Sequence, residues 1–381
     1  MPEPSVPLEE KVYQAGEHRS MSMLDLLRAF KQHGTARVTD LHLKTGKPPA
    51  YRVDGALKLT GGQPLDAETV GKLARSLLDE TQVVTLRKRR SVNASRLIEN
   101  MRFRINAYFD RNGLALAIRA LDTATPTIDF IGFPSRVWED IVKLQHGLVL
   151  VTGTTGSGKS TTIAALISEI ARTRPCHIIT LEDPIEYELT SDLSMISQRA
   201  IGRDVPDYEH GLRDCLREDP DVIFVGEMTD VESATWTLTA AETGHLVFSG
   251  IHTRDSVGTI TRLLDMYPAH RSEEIANQLA MALRYIISQK LVQRAKEPGR
   301  VAAMEILNNN YAVANLIRQL RLEQIYSILQ TQTRDEPRQR MTTLERSLAH
   351  LVHAGRVTRE EAERFVNQLP VFEDEMKRLE G

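Results

Sequence analysis

The spacing of apolar positions divides the chain into two stretches with different periods. Leu24, Leu27 and Phe30 recur at helical spacing, which predicts an amphipathic helix over Met23 to His33 ended by Gly34. The period then shortens. Asp40-Leu41-His42-Leu43 and Ala50-Tyr51-Arg52-Val53 read as short strands, with Lys47-Pro48-Pro49 turning between them and Asp54-Gly55 opening the next turn. Helical spacing returns over Leu65 to Leu78, with Asp66 placed as N-cap. Phe103 to Phe109 and Leu114 to Leu121 follow as strands joined by Asp110-Arg111-Asn112-Gly113, a composition suited to a hairpin.

From Gly147 onward, continuous apolar runs alternate with helical segments. The runs are Leu148 to Thr152, His177 to Leu181, Asp221 to Val225 and His245 to Ile251. Lys159 to Ala171, Leu212 to Leu216 and Ser233 to Glu242 read as the helices between them. Uninterrupted apolar strands alternating with helices predict a parallel sheet covered on both faces, hence an α/β fold. Val301 to Leu307 reads as a last strand, and the chain is then helical to its end apart from Thr331 to Arg340. The expected organisation is a disordered tail at 1–20, a small α+β domain at 21–122, a linker at 123–134, an α/β domain at 135–307 and a helical region at 308–381.

Composition narrows the function. The chain has 381 residues, 41% hydrophobic and 26% charged, with a net charge of -3. It carries no overall basic field to hold nucleic acid, so no nucleic-acid partner is expected. Arg87-Lys88-Arg89-Arg90 is a basic run whose plain reading is a solvated helix end. Cys176 and Cys215 form no C-x-x-C pair, which leaves a disulfide framework and a cysteine zinc site unsupported. Residues 1–20 lack the apolar core of a signal peptide, and no run approaches the roughly 20 apolar residues of a bilayer span. The expectation is a cytoplasmic protein that meets a membrane only through partners.

One segment carries specific chemistry. Gly153-Thr154-Thr155-Gly156-Ser157-Gly158-Lys159-Ser160 follows a predicted strand and opens a predicted helix, the context a phosphate-binding loop requires. Its glycines permit a path on which successive N–H groups face phosphate oxygens. Lys159 is placed for the β- and γ-phosphates of ATP and Ser160 for Mg²⁺. Asp221 to Val225 delivers Glu227 to a strand's carboxyl edge, where it is the Walker B candidate. Glu182, Asp183 and Glu186 crowd the end of another strand as candidates for Mg²⁺ ligation and for positioning water. His245 and His252 bracket a short buried strand. A histidine there is either structural or a nucleotide contact, and both readings stay open.

Together these motifs resemble the secretion and pilus ATPase superfamily, most closely the type IV pilus retraction ATPases of the PilT/PilU family. The resemblance rests on Asp40-Leu41-His42-Leu43 with Pro48-Pro49, Phe103-Arg104-Ile105-Asn106, the phosphate loop continuing into Thr161-Thr162, Leu181 to Glu186, Arg217 to Asp221 leading to Glu227, and Ala240 to Phe248 with His252-Thr253. It implies a PAS-like N-terminal domain joined to a RecA-like ATPase domain, with nucleotide between the two domains and a neighbouring subunit of a homohexamer. It further implies that Glu186, with Glu182 and Asp183 beside it, orients the attacking water, that Glu227 lies near Mg²⁺, and that His252 and His245 form a histidine box. Arg104 and Arg119 match the strand arginines that reach phosphate in this family. By the residues alone each reads more readily as an exposed strand arginine.

The implied activity is ATP hydrolysis that drives pilus retraction through an inner-membrane platform protein, with a paralogous pilus ATPase as a further partner. The chain has neither the longer N-terminal region nor the four-cysteine element of the extension and type II secretion ATPases. Yet the C-terminal signature Ala-Ile-Arg-Asn-Leu-Ile-Arg-Glu is replaced by Ala312-Val313-Ala314-Asn315-Leu316-Ile317-Arg318-Gln319, and Thr229 stands where an Arg commonly follows the Walker B acid. An accessory PilU-like subunit with weak motor activity is the alternative.

Overall fold

A computed structural model describes residues 5–31, 38–53, 56–121, 125–297, 299–335 and 340–380. The chain forms two compact units, Met1–Ala124 and Thr125–Gly381. Gly34 and the turn expected at Asp54-Gly55 lie outside the described residues.

The first unit is a six-stranded antiparallel sheet with helices on one face. A hairpin of β1 (Tyr13–Gly16) and β2 (Arg19–Met21) leads into α1 (Met23–Arg28). The sheet comprises β3 (Val38–Lys44), β4 (Ala50–Val53), β5 (Ala56–Leu59), β6 (Ser91–Ile98), β7 (Met101–Asp110) and β8 (Gly113–Leu121), in the order β5-β4-β3-β8-β7-β6. Between β5 and β6 come α2 (Ala67–Leu77) and α3 (Glu80–Arg89). Asp66 caps α2 by accepting from the Thr69 N–H, as its position predicts. Along β7 the residues alternate: Phe103, Ile105 and Ala107 are buried beneath the helices, while Arg102, Arg104 and Asn106 take the other face.

The hairpin of β1 and β2 falls within the tail expected to be disordered, and Tyr13 helps hold it. That ring is buried, and its hydroxyl donates to the Gln63 carbonyl at 2.7 Å. Leu8 and Val12 pack against the same core and the Leu8 carbonyl accepts from the Leu24 N–H at 3.0 Å, so tertiary contacts order a segment too short and polar to show a period. The run Arg87 to Arg90 ends α3 and is exposed, in keeping with its reading as a solvated helix end.

In the second unit, α4 (Ile128–Ile131) and α5 (Val137–Val142) precede β9 (Gly147–Thr152) and α6 (Lys159–Thr173). Residues 125–134, expected as linker, thus belong to this unit, with Thr127 capping α4 and Ile131 buried. The chain continues through β10 (His177–Glu182), β11 (Met195–Ala200), α7 (Tyr208–Cys215), β12 (Val222–Glu227), α8 (Val231–Glu242) and β13 (Leu246–Ile251). Then follow α9 (Ser256–Asp265), α10 (Ser272–Ala282), β14 (Leu283–Gln293) and β15 (Arg300–Asn308).

The sheet order is β11-β10-β12-β13-β9-β14-β15. Every pair is parallel except β14 with β15. Strands β9 and β13 are buried at every position, so the parallel sheet covered on both faces stands as expected. Strands β11 and β14 and helices α9 and α10 had no counterpart in the periodic reading.

The C-terminal region is helical: α11 (Tyr311–Arg318), α12 (Ile325–Asp335), α13 (Leu344–His353), α14 (Arg359–Glu363) and α15 (Leu369–Glu380). Helix α12 runs into the break expected from Thr331. Leu344, Leu348, Phe372 and Met376 form a separate small core with Val292, Val301 and Ala303 of the last two strands.

Candidate nucleotide-binding and hydrolytic site

Parallel strands deliver their carboxyl ends to one edge, and this shared direction assembles the site. In the ladder Thr152 lies opposite Ile251, Gly250 opposite Glu227, and Val225 opposite Leu181. The phosphate loop after β9, Glu227 at the end of β12, His252 after β13 and Glu182 at the end of β10 therefore share that edge.

The loop has the shape an anion needs. Gly153, Gly156 and Gly158 have φ of 149°, 79° and 91°. At Gly158, the N-cap of α6, no side chain caps the helix, so its first N–H groups are left to face a ligand. Thr154, Thr155 and Gly156 form the exposed tip and Ser157 is buried. Ser160 and Thr161 follow in the first turn of α6, where the Thr161 hydroxyl meets the Tyr187 hydroxyl at 3.0 Å. Beside the loop lies a cavity of about 540 Å³ whose lining includes Arg254, Lys290, Arg300 and Arg364. A cavity walled by four cationic side chains and backbone amides is electrostatically suited to a polyanion.

Lys159, Glu227 and His252 come together. The Lys159 ammonium donates to the Gly153 carbonyl at 3.0 Å and lies 3.2 Å from His252 Nδ1. The other ring nitrogen, Nε2, is paired with the Glu227 carboxylate. Burial lowers the Lys159 pKa, opposed by the nearby charges of Glu227 and Glu186. Two glycines make this convergence possible. A side chain at Gly250 would lie 2.9 Å from the Gly226 carbonyl, and one at Gly226 would lie 2.9 Å from the Tyr208 hydroxyl.

The acid box splits into different environments. Glu182 is buried, accepting from the Thr180 hydroxyl at 2.7 Å and the Gln198 amide at 3.1 Å, and burial pushes its pKa up to about 7. Asp183 is exposed and Glu186 half-buried. Glu182 is thus held by internal hydrogen bonds, while Glu186 is close enough to act on Lys159. His245 is not brought to the loop of its own chain. It precedes β13 at the end opposite His252, about 20 Å away by strand rise, and its Nδ1 lies 2.9 Å from the Ala240 carbonyl.

In the first unit, Arg104 and Arg119 face one another across β7 and β8, and Asp40 lies opposite Arg119 on β3. Asp40 accepts from Arg119 Nε at 2.7 Å. Burial alone would raise the Asp40 pKa, but hydrogen bonds from Thr39 and Arg119 and the Arg119 charge hold it below its ordinary value.

Two residues of the site were not anticipated. Tyr208, at the start of α7, has its pKa raised by burial and by Asp183, Glu227 and Glu182, and it keeps its proton among those acids. Gln289 of β14, 3% exposed, accepts from Thr162 Oγ1 at 2.7 Å and donates to the Ser157 carbonyl at 2.6 Å. No motif marks either residue.

A phosphate loop, a second parallel strand bringing a carboxylate to the same edge and a parallel sheet define a P-loop nucleoside triphosphatase. The chain matches the Type II/IV secretion system protein family over residues 40–378 and belongs to it. It is 38% identical to the type IV pilus retractation ATPase PilT of Pseudomonas aeruginosa over 343 residues, 90% of this chain and 97% of that protein. It is 40% identical over 338 residues to the uncharacterized protein YggR of Escherichia coli K12, covering 88% of this chain and all of the relative. A twitching motility protein of Neisseria gonorrhoeae is 40% identical over 83% of both chains. The crystal structure of the pilus retraction motor PilT with bound ADP superposes with a TM-score of 0.82 at 38% identity, covering 92% of this chain and 99% of that one. The chain is an ATPase of this family and binds nucleotide.

Proposed function

We propose that the chain is the motor of a type IV pilus system, hydrolysing ATP to drive pilus retraction and twitching motility. The observation that carries this reading is the coincidence of an intact hydrolytic constellation, Lys159, Glu186, Glu227 and His252, with near full-length similarity to a pilus retraction ATPase. On this reading the chain works as a homohexamer in the cytoplasm, against an inner-membrane platform protein and reaching the membrane only through it.

The donor set also suits Mg²⁺ that arrives with the triphosphate. Among the described residues no group of three or more His, Cys, Asp or Glu is arranged to hold a metal ion. Mg²⁺ typically takes one or two protein ligands and completes its shell with phosphate and water. Ser160 and Glu227 would hold it, with Asp183 as a further carboxylate at that edge, and when bound it neutralises charge on the β- and γ-phosphates. Lys159 exchanges its contacts with the Gly153 carbonyl and His252 for phosphate oxygens. The loop amides from Thr154 to Thr161 grip the phosphates, Glu186 orients the attacking water with Glu182 beside it, and His252 holds Glu227 in place. Arg104 and Arg119 stabilise charge on the transferred phosphoryl group. For His245 we propose a contact across the ring to nucleotide held by a neighbour.

One observation favours the accessory reading. Ala314 is packed against the core where retraction motors carry an Arg, so α11 presents a less charged surface than that signature predicts. A relative named type IV pilus ATPase PilU is 30% identical over 90% of this chain. Deleting the gene and counting surface pili, beside a Lys159→Ala allele, tests both readings. Accumulated, immobile pili in both strains support the motor. Normal retraction in both, with loss only when a paralogous ATPase is also removed, supports the accessory subunit. Normal ATP turnover by the purified Lys159→Ala chain would overturn the catalytic assignment.

A further inference from the structure

We infer that Gln289 is a positioning residue for the phosphate loop, one that orients the Ser157–Gly158 peptide so that its N–H serves the phosphates. The inference rests on the nucleotide reading of the loop and assigns a role to a residue outside its motif.

The sheet register places it there. Strand β14 runs parallel to β9, with Ser288 opposite Thr152, so Gln289 comes level with Gly153 where the loop begins. The Thr152 and Ser288 hydroxyls bond at 2.9 Å and fix that register inside the core. The Gln289 side chain then reaches under the loop to two groups that are 127 and 132 residues away in sequence.

Its chemistry is bipolar, and the two partners need both poles. Thr162, in the first turns of α6, donates its hydroxyl to the carboxamide oxygen at 2.7 Å. The carboxamide nitrogen donates to the Ser157 carbonyl at 2.6 Å. A glutamate of the same length would offer an acceptor at both ends, and a methionine offers neither. With the amide buried, an unmade bond leaves a polar group without water to replace it.

The glycines agree with this arrangement. A Cβ at Gly158 would stand 2.7 Å from Gln289 Nε2, and one at Gly153 would stand 2.5 Å from the Gln289 carbonyl and 2.4 Å from Ser157 Oγ. Two of the loop's glycines are therefore required by the closeness of β14 as well as by their backbone angles.

The consequence for phosphate follows from peptide geometry. The Ser157–Gly158 bond is trans, and in a trans peptide the C=O and N–H point in opposite directions. Holding the Ser157 carbonyl down onto Gln289 turns the Gly158 N–H away from that side chain, at the N-cap of α6 where no side chain takes up the first N–H groups. Were that peptide to flip, a carbonyl oxygen would face the phosphates in place of a donor.

The test is calorimetric binding of ATP and of inorganic tripolyphosphate, each with magnesium, to the full chain and its variants. Gln289→Met is expected to weaken both ligands by the same factor, about tenfold to a hundredfold. It should raise KM for ATP by a similar factor while changing kcat less, because the amide meets phosphate in ground and transition states alike. Gln289→Glu should be at least as weak. Thr162→Val frees the carboxamide's other end without touching the loop. It should cost about threefold alone and add nothing to Gln289→Met, and it keeps the inference testable if the methionine variant fails to fold. Unchanged affinity in Gln289→Met, a loss confined to ATP with tripolyphosphate unaffected, or full additivity with Thr162→Val would overturn the assignment. Failure of the underlying reading looks different: Lys159→Ala would then bind both ligands as the unaltered chain does.

Discussion

The phosphate-loop edge and the arginine face of the first unit are built in opposite ways. The loop is contiguous in sequence, and its glycines, lysine and serine fall into place as soon as β9 leads into α6. The arginine face is a product of register: Arg104, Arg119 and Asp40 come from three strands and meet only because β7, β8 and β3 pair as they do. The base of the loop is also held by the buried Gln289, whereas the Arg119 side chain is 59% exposed and held mainly by Asp40. A contiguous motif tolerates drift elsewhere in the fold. A register-built cluster is lost by any slip that exchanges the two faces of a strand.

This contrast orders the tests. Lys159→Ala should have the largest effect, reducing ATP turnover by about a thousandfold or more with folding retained, since on the proposed reading it removes the charge that meets the β- and γ-phosphates. Glu186→Gln should keep ATP affinity within about threefold while slowing hydrolysis about a hundredfold, which equilibrium binding beside single-turnover hydrolysis would separate. Next comes the arginine face. Arg119→Ala should lower turnover about a hundredfold, and Asp40→Asn, which unanchors the guanidinium, about tenfold. Unaltered turnover in both would return Arg119 to an ordinary strand arginine and break the comparison.

A pH effect comes after these. Burial raises the pKa of both Glu182 and Glu305 to about 7, above the ordinary 4.5 of a glutamate. The fold therefore holds those protons more tightly than the unfolded chain does. Stability from this source is fully present below about pH 4.5 and is lost as pH rises through about 7, by about 3 kcal/mol for each group. Glu305→Gln should remove its share of that loss, measured as denaturation midpoints at pH 5 and pH 8. Lys88→Ala, on the exposed end of α3, should change stability by no more than about 0.5 kcal/mol.

Much of the second unit was legible because its strands are buried on both faces and so read as unbroken apolar runs. Strand β14 carries Ser288, Gln289 and Lys290 among its apolar residues, and those polar positions concealed it. They are polar because they serve the loop and the C-terminal turn: Lys290 donates to the Phe365 carbonyl at 2.8 Å and to Asn367 Oδ1 at 2.7 Å. The hairpin of β1 and β2 was hidden for a different reason, being short and held by packing of Tyr13, Val12 and Met21 on the core. Among site residues, Lys159, Ser160, Glu227 and His252 were visible as motif members. Tyr208 and Gln289 were not, because neither has a local pattern and each acquires its surroundings from elements distant in the chain.

Local chemistry wrote the phosphate loop into the amino-acid order, since glycine spacing, the lysine and the helix start all act within about ten residues. The strand-end acids were written there too, because parallel strands present their carboxyl ends to a common edge. Folding alone chose which acid was buried, which histidine met the lysine and which amide held the loop. Those outcomes depend on sheet order and register, and both are set by packing between segments more than a hundred residues apart, as Gln289 and Ser157 are.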